Sequence, residues 1–515
     1  MNSAMRSAFI DIGSNTIRLV IYEQNPSGAF HVIHECKESA RLSQKIGDDQ
    51  VFTAKMIDGI VRILLQFKEI CKAYEAAGIR AVATAAIRNA ANTQDIIAEL
   101  KNRTGITVEL LSGADEARIG FIGVIHTLDI DSGILIDIGG GSTEVSVFRN
   151  RRLLNSVSFP FGAVNTAKRF AVDGVLSAAA MNGIKSMVTK ALEEHPWLQE
   201  HHGLPLIGLG GTIRSLCKIS QRRSKYSLPL THHYMMKAAE VDEIYASLGV
   251  MSAEKRKKVD GLSKDRYDII IPGLAILHSL FHAARASHYI VSGSGLRDGL
   301  FFESHPPDER LSIAERSARN LLLLHNAAPL PHAERVSGYT AILFDALQDK
   351  HGLPPRYRLL ASVTALLYRI GVAVNYYKFP VHSAYLIAHS RLDGITHRET
   401  LLCSLAADYK TKKRTHQSYL KHKDILQEPD LERIARLGSL IQLAAALDCG
   451  HTMTVEEMTA LADNKKLNIR LKAKQTPALE IRAAEALSKD FKKMWGLSLV
   501  IHADPLEHDR HVSMS

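Results

Sequence analysis

The feature that most constrains the fold of this chain is a short pattern that occurs twice. AFIDIGSNTIRLVIYE, residues 8–23, and LIDIGGGSTEVSVF, residues 135–148, each contain an apolar strand, an aspartate, a glycine-rich turn and a second strand. Three pairs of residues align at a constant offset of 126 positions: Asp11 with Asp137, Gly13 with Gly139, and Thr16 with Ser142. The repeat predicts two structurally related halves.

Helical and strand patterns alternate after the first copy of this pattern. The predicted elements are a helix over 53–76, a strand over 80–84, a helix over 93–101, a strand over 106–111 and a helix over 115–126. Such alternation is typical of a mixed sheet with helices on its faces. Two copies that meet at a cleft, with a glycine-rich hairpin from each side, form the duplicated actin-like fold. We therefore predict an α/β core of two actin-like domains, 1–126 and 127–304.

The composition of the chain changes after the Pro306-Pro307 pair, which predicts a linker. The chain then shows mostly helical patterns, so a separate all-α domain is predicted over 308–455. The last part, 456–515, is predicted to form a small α/β unit. In this unit KLNIRLKA is predicted as a strand, ALEIRAAEALSKDFKKMWG as a strand followed by a helix, and LSLVIHAD as a strand.

The composition of the chain indicates a folded globular protein. Hydrophobic residues make up 46% of the 515 residues and charged residues 23%, which is typical of folded globular chains. No apolar run reaches the about 18 residues of a membrane-spanning helix, and the first residues lack a signal-peptide pattern, so a cytoplasmic protein is expected. The five cysteines are scattered and never form a CxxC pair, which argues against a disulfide framework and a cysteine zinc site. They are Cys36, Cys71, Cys217, Cys403 and Cys449.

The formal net charge of +10 suggests a polyanionic partner. Basic residues cluster at Lys255–Lys258 and again at Lys410–Lys423, where Lys412, Lys413 and Arg414 are adjacent. We interpret the second cluster as a surface that guides a polyanion. The alternative is that both runs are solvated faces or flexible loops.

The two glycine-rich turns can hold phosphate. Glycines bring backbone amides close to a ligand, and the Ser and Thr hydroxyls add donors. Asp11 and Asp137 would then lie beside phosphate, where a carboxylate is repelled unless a hard cation bridges the two groups. The pair of turns therefore predicts Mg²⁺ as a cofactor. A third glycine-rich turn, LIGLGGTIRSL at 206–216, also follows an apolar run and begins a predicted helix.

The segment SGADEARIGF holds a candidate catalytic acid. Ser112 and Asp115 have capping-box spacing, so Asp115 is expected to stabilise the start of a helix. Glu116 could project toward the cleft and deprotonate a water molecule. In ATAAIRNAAN, Thr84 is at a strand end, and Arg88 follows where its guanidinium could grip phosphate oxygens.

Two further residues accompany the paired turns. Arg18 could contact phosphate in the same way as Arg88, although an outward, solvated arginine is the alternative. Glu144 could coordinate the metal through water or hold the second turn. The chain shows no paired DxD after a strand and no Walker P-loop, so direct attack by water is the expected chemistry.

Six motifs, taken in order, resemble those of the exopolyphosphatase and guanosine pentaphosphate phosphohydrolase family. They are FIDIGSNTIRLVI, ATAAIRNA, SGADEARIGF, IDIGGGSTEV, SFPFGAV and GLGGTI, and the resemblance extends through DIIIPGLAIL and VSGSGLRDG. It implies an acetate-kinase, heat-shock-protein and actin-type core that hydrolyses terminal phosphoanhydrides with Mg²⁺. A monovalent cation such as K⁺ could act as a second cofactor. A homodimer is expected.

The resemblance also implies roles for individual residues. Glu116 matches the base that activates water, Asp137 and Glu144 match acids that organise the metal and the second loop, and Arg88 matches a phosphate-binding arginine. The first loop corresponds to Gly13, Ser14, Asn15 and Thr16, and the second to Gly139, Gly140, Gly141, Ser142 and Thr143. Gly210, Gly211 and Thr212 match a motif that lies near the nucleotide base in related ATPases; for a polyphosphate enzyme this motif could be structural only.

The helical region resembles an HD-type domain more loosely. Tyr368 and Arg369 occupy the positions where a metal-binding domain would carry His-Asp, and Ala445 stands where an Asp ligand is expected. We therefore predict no second metallohydrolase centre. His332 and His382 are interpreted as polyanion contacts or as packing.

The function predicted from these observations is hydrolysis of terminal phosphate from inorganic polyphosphate. Hydrolysis of guanosine pentaphosphate is an alternative, because both substrates end in a phosphoanhydride. A sensor that binds polyphosphate or an alarmone without turnover is a second alternative, against which the intact Glu116 and Asp137 argue. A sugar or acetate kinase on the same fold is a third. No nucleic-acid partner and no membrane span are expected.

Overall fold

The computed structural model describes residues 4–47, 49–171, 176–325 and 329–505. The chain divides into two compact units, Met1–Glu309 and Arg310–Ser515. Over the described ranges, no helix is both long and apolar enough to cross a membrane. All five cysteines are free thiols.

The first unit begins with a five-stranded sheet in the order β3-β2-β1-β4-β5. Its strands are β1 Met5–Ile12, β2 Thr16–Gln24, β3 Phe30–Ser39, β4 Gly78–Ala83 and β5 Val108–Leu110. The helices of this part are α1 Leu42–Lys45, α2 Ala54–Ala73, α3 Ala85–Arg88, α4 Thr93–Thr104 and α5 Gly113–Ile125. The helices and strands predicted between residues 53 and 126 are thus present, with ends shifted by a few residues.

A second sheet of six strands has the order β10-β11-β9-β6-β7-β8. Its strands are β6 Gly133–Ile138, β7 Thr143–Arg149, β8 Arg152–Phe159, β9 Leu206–Leu209, β10 Tyr234–Met236 and β11 Tyr289–Val291. The helices are α6 Ala163–Phe170, α7 Ala178–Glu193, α8 Gly210–Ser224, α9 Ala238–Gly249, α10 Ala253–Arg256, α11 Ile270–Ala283 and α12 Leu296–Ser304, with a 3₁₀ helix at Pro196–His201.

The two sheets repeat one topology. In the first, β1 pairs antiparallel with β2 and parallel with β4. In the second, β6 pairs antiparallel with β7 and parallel with β9. The internal sequence repeat therefore corresponds to a duplicated arrangement of strands, as the predicted actin-like class requires.

Helix α12 returns the chain to the first sheet. Leu300, Phe301 and Phe302 belong to one buried cluster with Phe9 and Tyr22. The ring of Phe301 stacks on that of Tyr22 at 4.2 Å between centroids. The sequence pattern assigns residues 296–304 to the second domain, whereas this packing places their apolar side chains on the first sheet.

The second unit is mostly helical. Its helices are α13 Ile313–His325, α14 Leu330–Ala346, α15 Gln348–His351, α16 Arg356–Leu367, α17 Phe379–His389, α18 His397–Ala407, α19 Lys412–Tyr419, α20 Asp430–Ala446, α21 Ala478–Glu485 and α22 Ser488–Trp495, with 3₁₀ helices at Ile370–Ala373 and Leu420–His422. A three-stranded sheet in the order β12-β13-β14 follows α20 in the chain. Its strands are β12 Val455–Ala462, β13 Lys466–Ala473 and β14 Ser498–Pro505.

The prediction of a strand at ALEIR, the start of ALEIRAAEALSKDFKKMWG, is wrong. Helix α21 begins there, directly after Pro477, and Glu480 and Ala484 lie four residues apart on its buried side. A carboxylate oxygen of Glu480 accepts the backbone N–H of Gly450 at 3.3 Å. Strand β12 was not predicted, although it pairs with β13. Residues 506–515 of the predicted terminal unit lie outside the described residues.

Candidate active site

The two repeated turns close in the same way. The backbone N–H of Gly13 donates to the carbonyl oxygen of Thr16 at 3.1 Å, and that of Gly139 donates to the carbonyl oxygen of Ser142 at 3.0 Å. We call these two turns the corners. Each joins the two strands of one hairpin, β1 to β2 and β6 to β7, so the sequence repeat is reproduced at the level of single hydrogen bonds.

The corners meet each other at one cleft. A Cβ atom built on Gly140 would lie 3.0 Å from Cβ of Ser14 and 3.2 Å from the backbone nitrogen of Asn15. A Cβ atom on Gly162 would lie 2.7 Å from the carbonyl oxygen of Gly139. Such close approach of backbone segments requires glycine. The predicted convergence of the two glycine-rich turns is therefore present in the structure.

Most of the residues predicted as functional line this cleft. Those on its wall are Asp11, Gly13, Ser14, Asn15, Thr16, Arg18, Thr84, Glu116, Asp137, Gly139, Gly140, Ser142, Gly210 and Gly211. Five other residues predicted for the phosphate and metal sites are not among those that line it: Arg88, Gly141, Thr143, Glu144 and Thr212. The hydroxyl of Thr143, for example, is buried and donates to the carbonyl oxygen of Phe161 at 2.6 Å, so it holds the second corner.

Glu116 lies in the first turn of α5, beside the helix cap. The Ser112 hydroxyl accepts the backbone N–H of Asp115 at 3.0 Å and donates to its carboxylate at 2.6 Å. Ser112 therefore caps the helix, and the Asp115 carboxylate bonds the hydroxyl of Ser112 instead of its backbone N–H. Arg88 donates from Nη1 to Oε2 of Glu116 at 3.0 Å, and from the same atom to the carbonyl oxygen of Leu111. Arg88 thus orients Glu116 and does not itself line the cleft.

The acidic residues of the cleft carry shifted pKa values. Burial raises the pKa of Glu116 well above its usual value, and the nearby Glu144 carboxylate raises it further. Burial also raises the pKa of Asp137 to about 6, and it raises the pKa of Asp11 despite the positive charges of Arg297 and Arg18. Buried carboxylates with raised pKa values are groups that a bound cation would stabilise in their charged form.

The donor set fits Mg²⁺. Asp11, Asp137 and Glu144 offer oxygen atoms only, and Glu144 already accepts the Ser158 hydroxyl at 2.7 Å. Among the described residues, these carboxylates do not form a group whose ligand atoms all lie within 4.8 Å. Mg²⁺ does not need such a cage, because it is usually held by one or two carboxylates together with substrate phosphates and water.

Sequence reasoning missed three arginines that line the cleft with Arg18: Arg214, Arg266 and Arg297. Burial lowers the pKa of Arg214 to about 10, and the positive charges of Arg18 and Arg297 add to this effect. A Cβ atom on Gly211 would overlap the guanidinium of Arg266, which therefore covers the third glycine-rich turn. Four arginines crowded at one cleft strongly favour an anionic ligand.

Comparison with known proteins identifies the family. The model of the Ppx/GppA phosphatase family matches residues 20–307, and that of Ppx/GppA phosphatase domain III matches residues 313–487. The chain belongs to the Ppx/GppA phosphatase family. The resemblance found in the sequence is thereby confirmed, and the homologues in this family are hydrolases that act on phosphoanhydrides.

Two relatives of this Ppx/GppA chain carry the same name. A guanosine-5'-triphosphate,3'-diphosphate pyrophosphatase of Aeromonas hydrophila subsp. hydrophila is 26% identical over 94% of this chain and 96% of its own length. A protein of Aeromonas salmonicida with the same name is 27% identical over 78% of this chain and 80% of its own. The full-length match therefore includes the helical unit.

Solved structures of the family show the same fold. A Ppx/GppA family member of Aquifex aeolicus has a TM-score of 0.51 and 24% identity, over 59% of this chain and 98% of that one. An exopolyphosphatase from Cytophaga hutchinsonii has a TM-score of 0.54 and 22% identity, over 59% of this chain and 99% of that one. The actin-like class predicted from the repeat agrees with these neighbours.

In the domain III part of this Ppx/GppA chain, the three adjacent basic residues predicted to guide a polyanion differ in exposure and in ion pairing. Lys412 and Lys413 are exposed at the start of α19. Arg414 donates from Nη2 to both carboxylate oxygens of Asp408, at 2.7 and 3.0 Å. The charge of Arg414 is therefore partly neutralised, and the two lysines carry most of the exposed positive charge of this trio.

The same part contains a buried polar cluster around His332. Nδ1 of His332 lies 2.7 Å from Oδ2 of Asp448, and its Nε2 lies 2.7 Å from the hydroxyl of Tyr368. The acid that accompanies His332 is thus Asp448, three residues after the predicted Ala445 position. His332 is only 2% exposed, so it packs inside this unit and does not contact a polyanion at the surface.

Proposed function

We propose that this chain removes the terminal phosphate of inorganic polyphosphate by direct attack of water. The observation that carries the proposal is the meeting of both glycine-rich corners at a cleft that holds Glu116 and four arginines. The corners offer backbone amides and hydroxyls for the terminal phosphoryl group. The arginines offer charge for the anionic groups that follow it.

Glu116 is proposed as the general base. Water attacks the terminal phosphorus, its proton passes to the carboxylate of Glu116, and the bridging P–O bond breaks to release orthophosphate and the shortened chain. A carboxylate with a raised pKa is a stronger proton acceptor, and burial raises the pKa of Glu116 well above its usual value. Arg88 fixes the orientation of this carboxylate through Oε2, which leaves Oε1 for the water.

Phosphatases of this family generally use a divalent metal. Asp11 and Asp137 would hold Mg²⁺ in this cleft, with Glu144 behind them. When bound, the ion supplies positive charge that offsets the negative charge on the phosphoryl oxygens and on both aspartates. The glycine-rich corners keep the phosphoryl group in line with the water, while Arg214, Arg266 and Arg297 hold the leaving chain.

The composition of the cleft wall favours polyphosphate over a nucleotide. Among the described residues that line it, none is aromatic, and the apolar members are aliphatic: Ile138, Ala163, Ile269 and Leu296. Nucleobases are commonly held by stacking on aromatic rings. Guanosine pentaphosphate remains the second candidate, because the Aeromonas relatives named above, one of which matches over nearly its full length, are pyrophosphatases of that nucleotide by name.

A substrate panel tests the proposal. Purified protein is incubated with long-chain polyphosphate, guanosine pentaphosphate or ATP, with and without Mg²⁺, and released orthophosphate is measured. We expect kcat/KM to be highest for polyphosphate and activity to vanish when Mg²⁺ is chelated and to return when it is restored. A higher kcat/KM for guanosine pentaphosphate would establish the second candidate instead. Phosphate release that depends on an added acceptor would indicate a kinase.

The exposed lysines of α19 are proposed to attract long substrates. Replacing Lys412 and Lys413 by Glu reverses two exposed charges, so we expect kcat/KM for long chains to fall several-fold, with a steeper dependence on salt. Short chains should be hydrolysed as before. The matched control is Lys465→Glu with Lys466→Glu, two adjacent lysines at the exposed start of β13. An equal effect on short and long chains would contradict this role.

A further inference from the structure

A second cluster of potential ligands lies away from the cleft-lining residues, where α9 packs on α11. Oδ1 of Asp242 on α9 is 2.9 Å from Nε2 of His278 and 3.4 Å from Nε2 of His282, both on α11. The two Nε2 atoms are 3.1 Å apart. Three side chains from two helices thus direct one donor atom each to a common point.

The spacing of these atoms is that of a metal site. A tetrahedral Zn²⁺ ion with bonds of about 2.0–2.2 Å has ligand atoms roughly 3.3 Å apart, which is close to the three observed separations. His278 and His282 are four residues apart on one helix, the spacing at which two histidines of a helix bind one ion. Two imidazoles with one carboxylate form a ligand set that suits Zn²⁺.

Hydrogen bonding alone accounts poorly for the cluster. Each Nε2 atom must carry a proton to donate to Oδ1 of Asp242, and two such N–H groups would then face each other at 3.1 Å. If one Nε2 atom has no proton, its lone pair faces the carboxylate. A cation at the common point removes both conflicts, because it accepts electron pairs from all three atoms.

The surroundings hold the rings and leave access for an ion. Tyr245 packs on the ring of His278 and Phe281 on that of His282, with centroids 4.9 and 5.4 Å apart. Burial and the neighbouring His282 lower the pKa of His278, although Asp242 acts in the opposite direction, and the net shift favours the neutral imidazole that binds metals. The side chain of His282 is 49% exposed, so the site opens to solvent.

We propose that Asp242, His278 and His282 bind one transition-metal ion, preferably Zn²⁺, and that water completes the coordination. The ion would join α9 to the C-terminal half of α11. This site is separate from the oxygen-lined cleft: it uses imidazole nitrogen, whereas the cleft offers carboxylates suited to Mg²⁺. It uses none of the five cysteines.

The test uses the full-length protein after removal of metals with a chelator. Zn²⁺ is titrated by calorimetry in the presence of excess Mg²⁺, and Co²⁺ is used as a spectroscopic probe. We expect one Zn²⁺ ion per chain, a rise in Tm with Zn²⁺, and the visible absorption of four-coordinate Co²⁺. Replacing His278 and His282 by Gln should weaken Zn²⁺ binding by at least about 10- to 100-fold, the typical cost of losing even an outer-shell partner.

The matched control replaces two other exposed histidines, His31→Gln with His202→Gln, and should bind Zn²⁺ like the unchanged chain. Asp242→Asn should weaken binding while keeping the metal-free Tm, which separates ligand loss from misfolding. Equal Zn²⁺ binding by the control and by the His278→Gln, His282→Gln variant, or an octahedral Co²⁺ spectrum, would overturn the proposal. Mg²⁺-dependent phosphate release is measured in parallel, because its failure would concern only the cleft.

Discussion

Replacing Glu116 by glutamine is expected to lower kcat for phosphate release by about 10²- to 10⁴-fold, the usual contribution of a general base. Glutamine has almost the same shape, and its side-chain oxygen can still accept the hydrogen bond from Arg88. The change therefore removes the proton acceptor and leaves the position of the side chain. Because the corners and the arginines still bind the substrate, KM should change little. Steady-state rates with polyphosphate measure both quantities.

The neighbouring acid provides the control for this variant. Asp115→Asn changes the same charge one position earlier in α5, where the carboxylate accepts the Ser112 hydroxyl and does not line the cleft. We expect this variant to retain kcat and to lose at most a little stability at the helix start. If both variants lost activity to the same extent, the loss would come from the helix start. If the Glu116→Gln variant were fully active, Glu116 would not be the general base.

The parts of the site that the sequence predicts best are those fixed by local chemistry. A glycine-rich turn after an aspartate requires the same backbone geometry wherever it occurs. The constant offset between the copies then reveals the duplication, and the structure closes both turns with the same hydrogen bond. The pairing of Ser112 with Asp115 at the start of α5 follows from a spacing of three residues. These features depend on neighbours in the chain, so the sequence contains most of what determines them.

Contacts between distant segments could not be predicted in the same way. Arg214 and Arg297 lie within motifs that the sequence analysis quoted, yet only the folded chain shows that their side chains line the cleft with Arg18. Arg266 belongs to none of these motifs. Arg88 is in a predicted position, but its partner, Glu116, is 28 residues away. The phosphate-binding role predicted for Arg88 therefore has a competing explanation, which is the orientation of the base.

The wrong strand prediction in the second unit also results from contacts between distant segments. The alternating pattern of ALEIR resembles a strand over five residues, whereas the burial of Glu480 and Ala484 depends on what packs on that face. Position 445, where the resemblance to an HD-type domain predicts an acid, is an alanine. The structure places Asp448 beside His332, because helix α20 ends at Ala446 and the chain turns there.

Replacing Gly162 by alanine is expected to reduce kcat/KM by about 10²-fold or more, although Gly162 does not line the cleft. Its new Cβ atom would lie 2.7 Å from the carbonyl oxygens of Gly139 and Gly140, which are backbone atoms and cannot rotate away. Displacement of a positioning group by about 1 Å can cost about 10²-fold in rate. We also expect the free energy of unfolding to fall by about 1–3 kcal/mol, as for other overpacked sites.

The second corner must move in this variant because it is bound to the start of α6. The backbone N–H groups of Ala163 and Val164 donate to the carbonyl oxygens of Gly139 and Gly140, both at 2.9 Å. The side-chain amide of Asn165 donates to the carbonyl oxygen of Gly141, also at 2.9 Å. A shift of residue 162 is therefore transmitted to the whole corner, which also explains why SFPFGAV accompanies the glycine-rich turns in the sequence.

The matched control is Gly59→Ala in the first half of α2, where an added Cβ atom meets no heavy atom within 4 Å. Alanine is favoured over glycine in a helix, so this variant should be more stable by about 0.5–1 kcal/mol and fully active. Rates with polyphosphate and urea unfolding curves measure both effects. An active, stable Gly162→Ala enzyme would show that the second corner can shift without loss, and that its close contact with α6 does not position the terminal phosphoryl group.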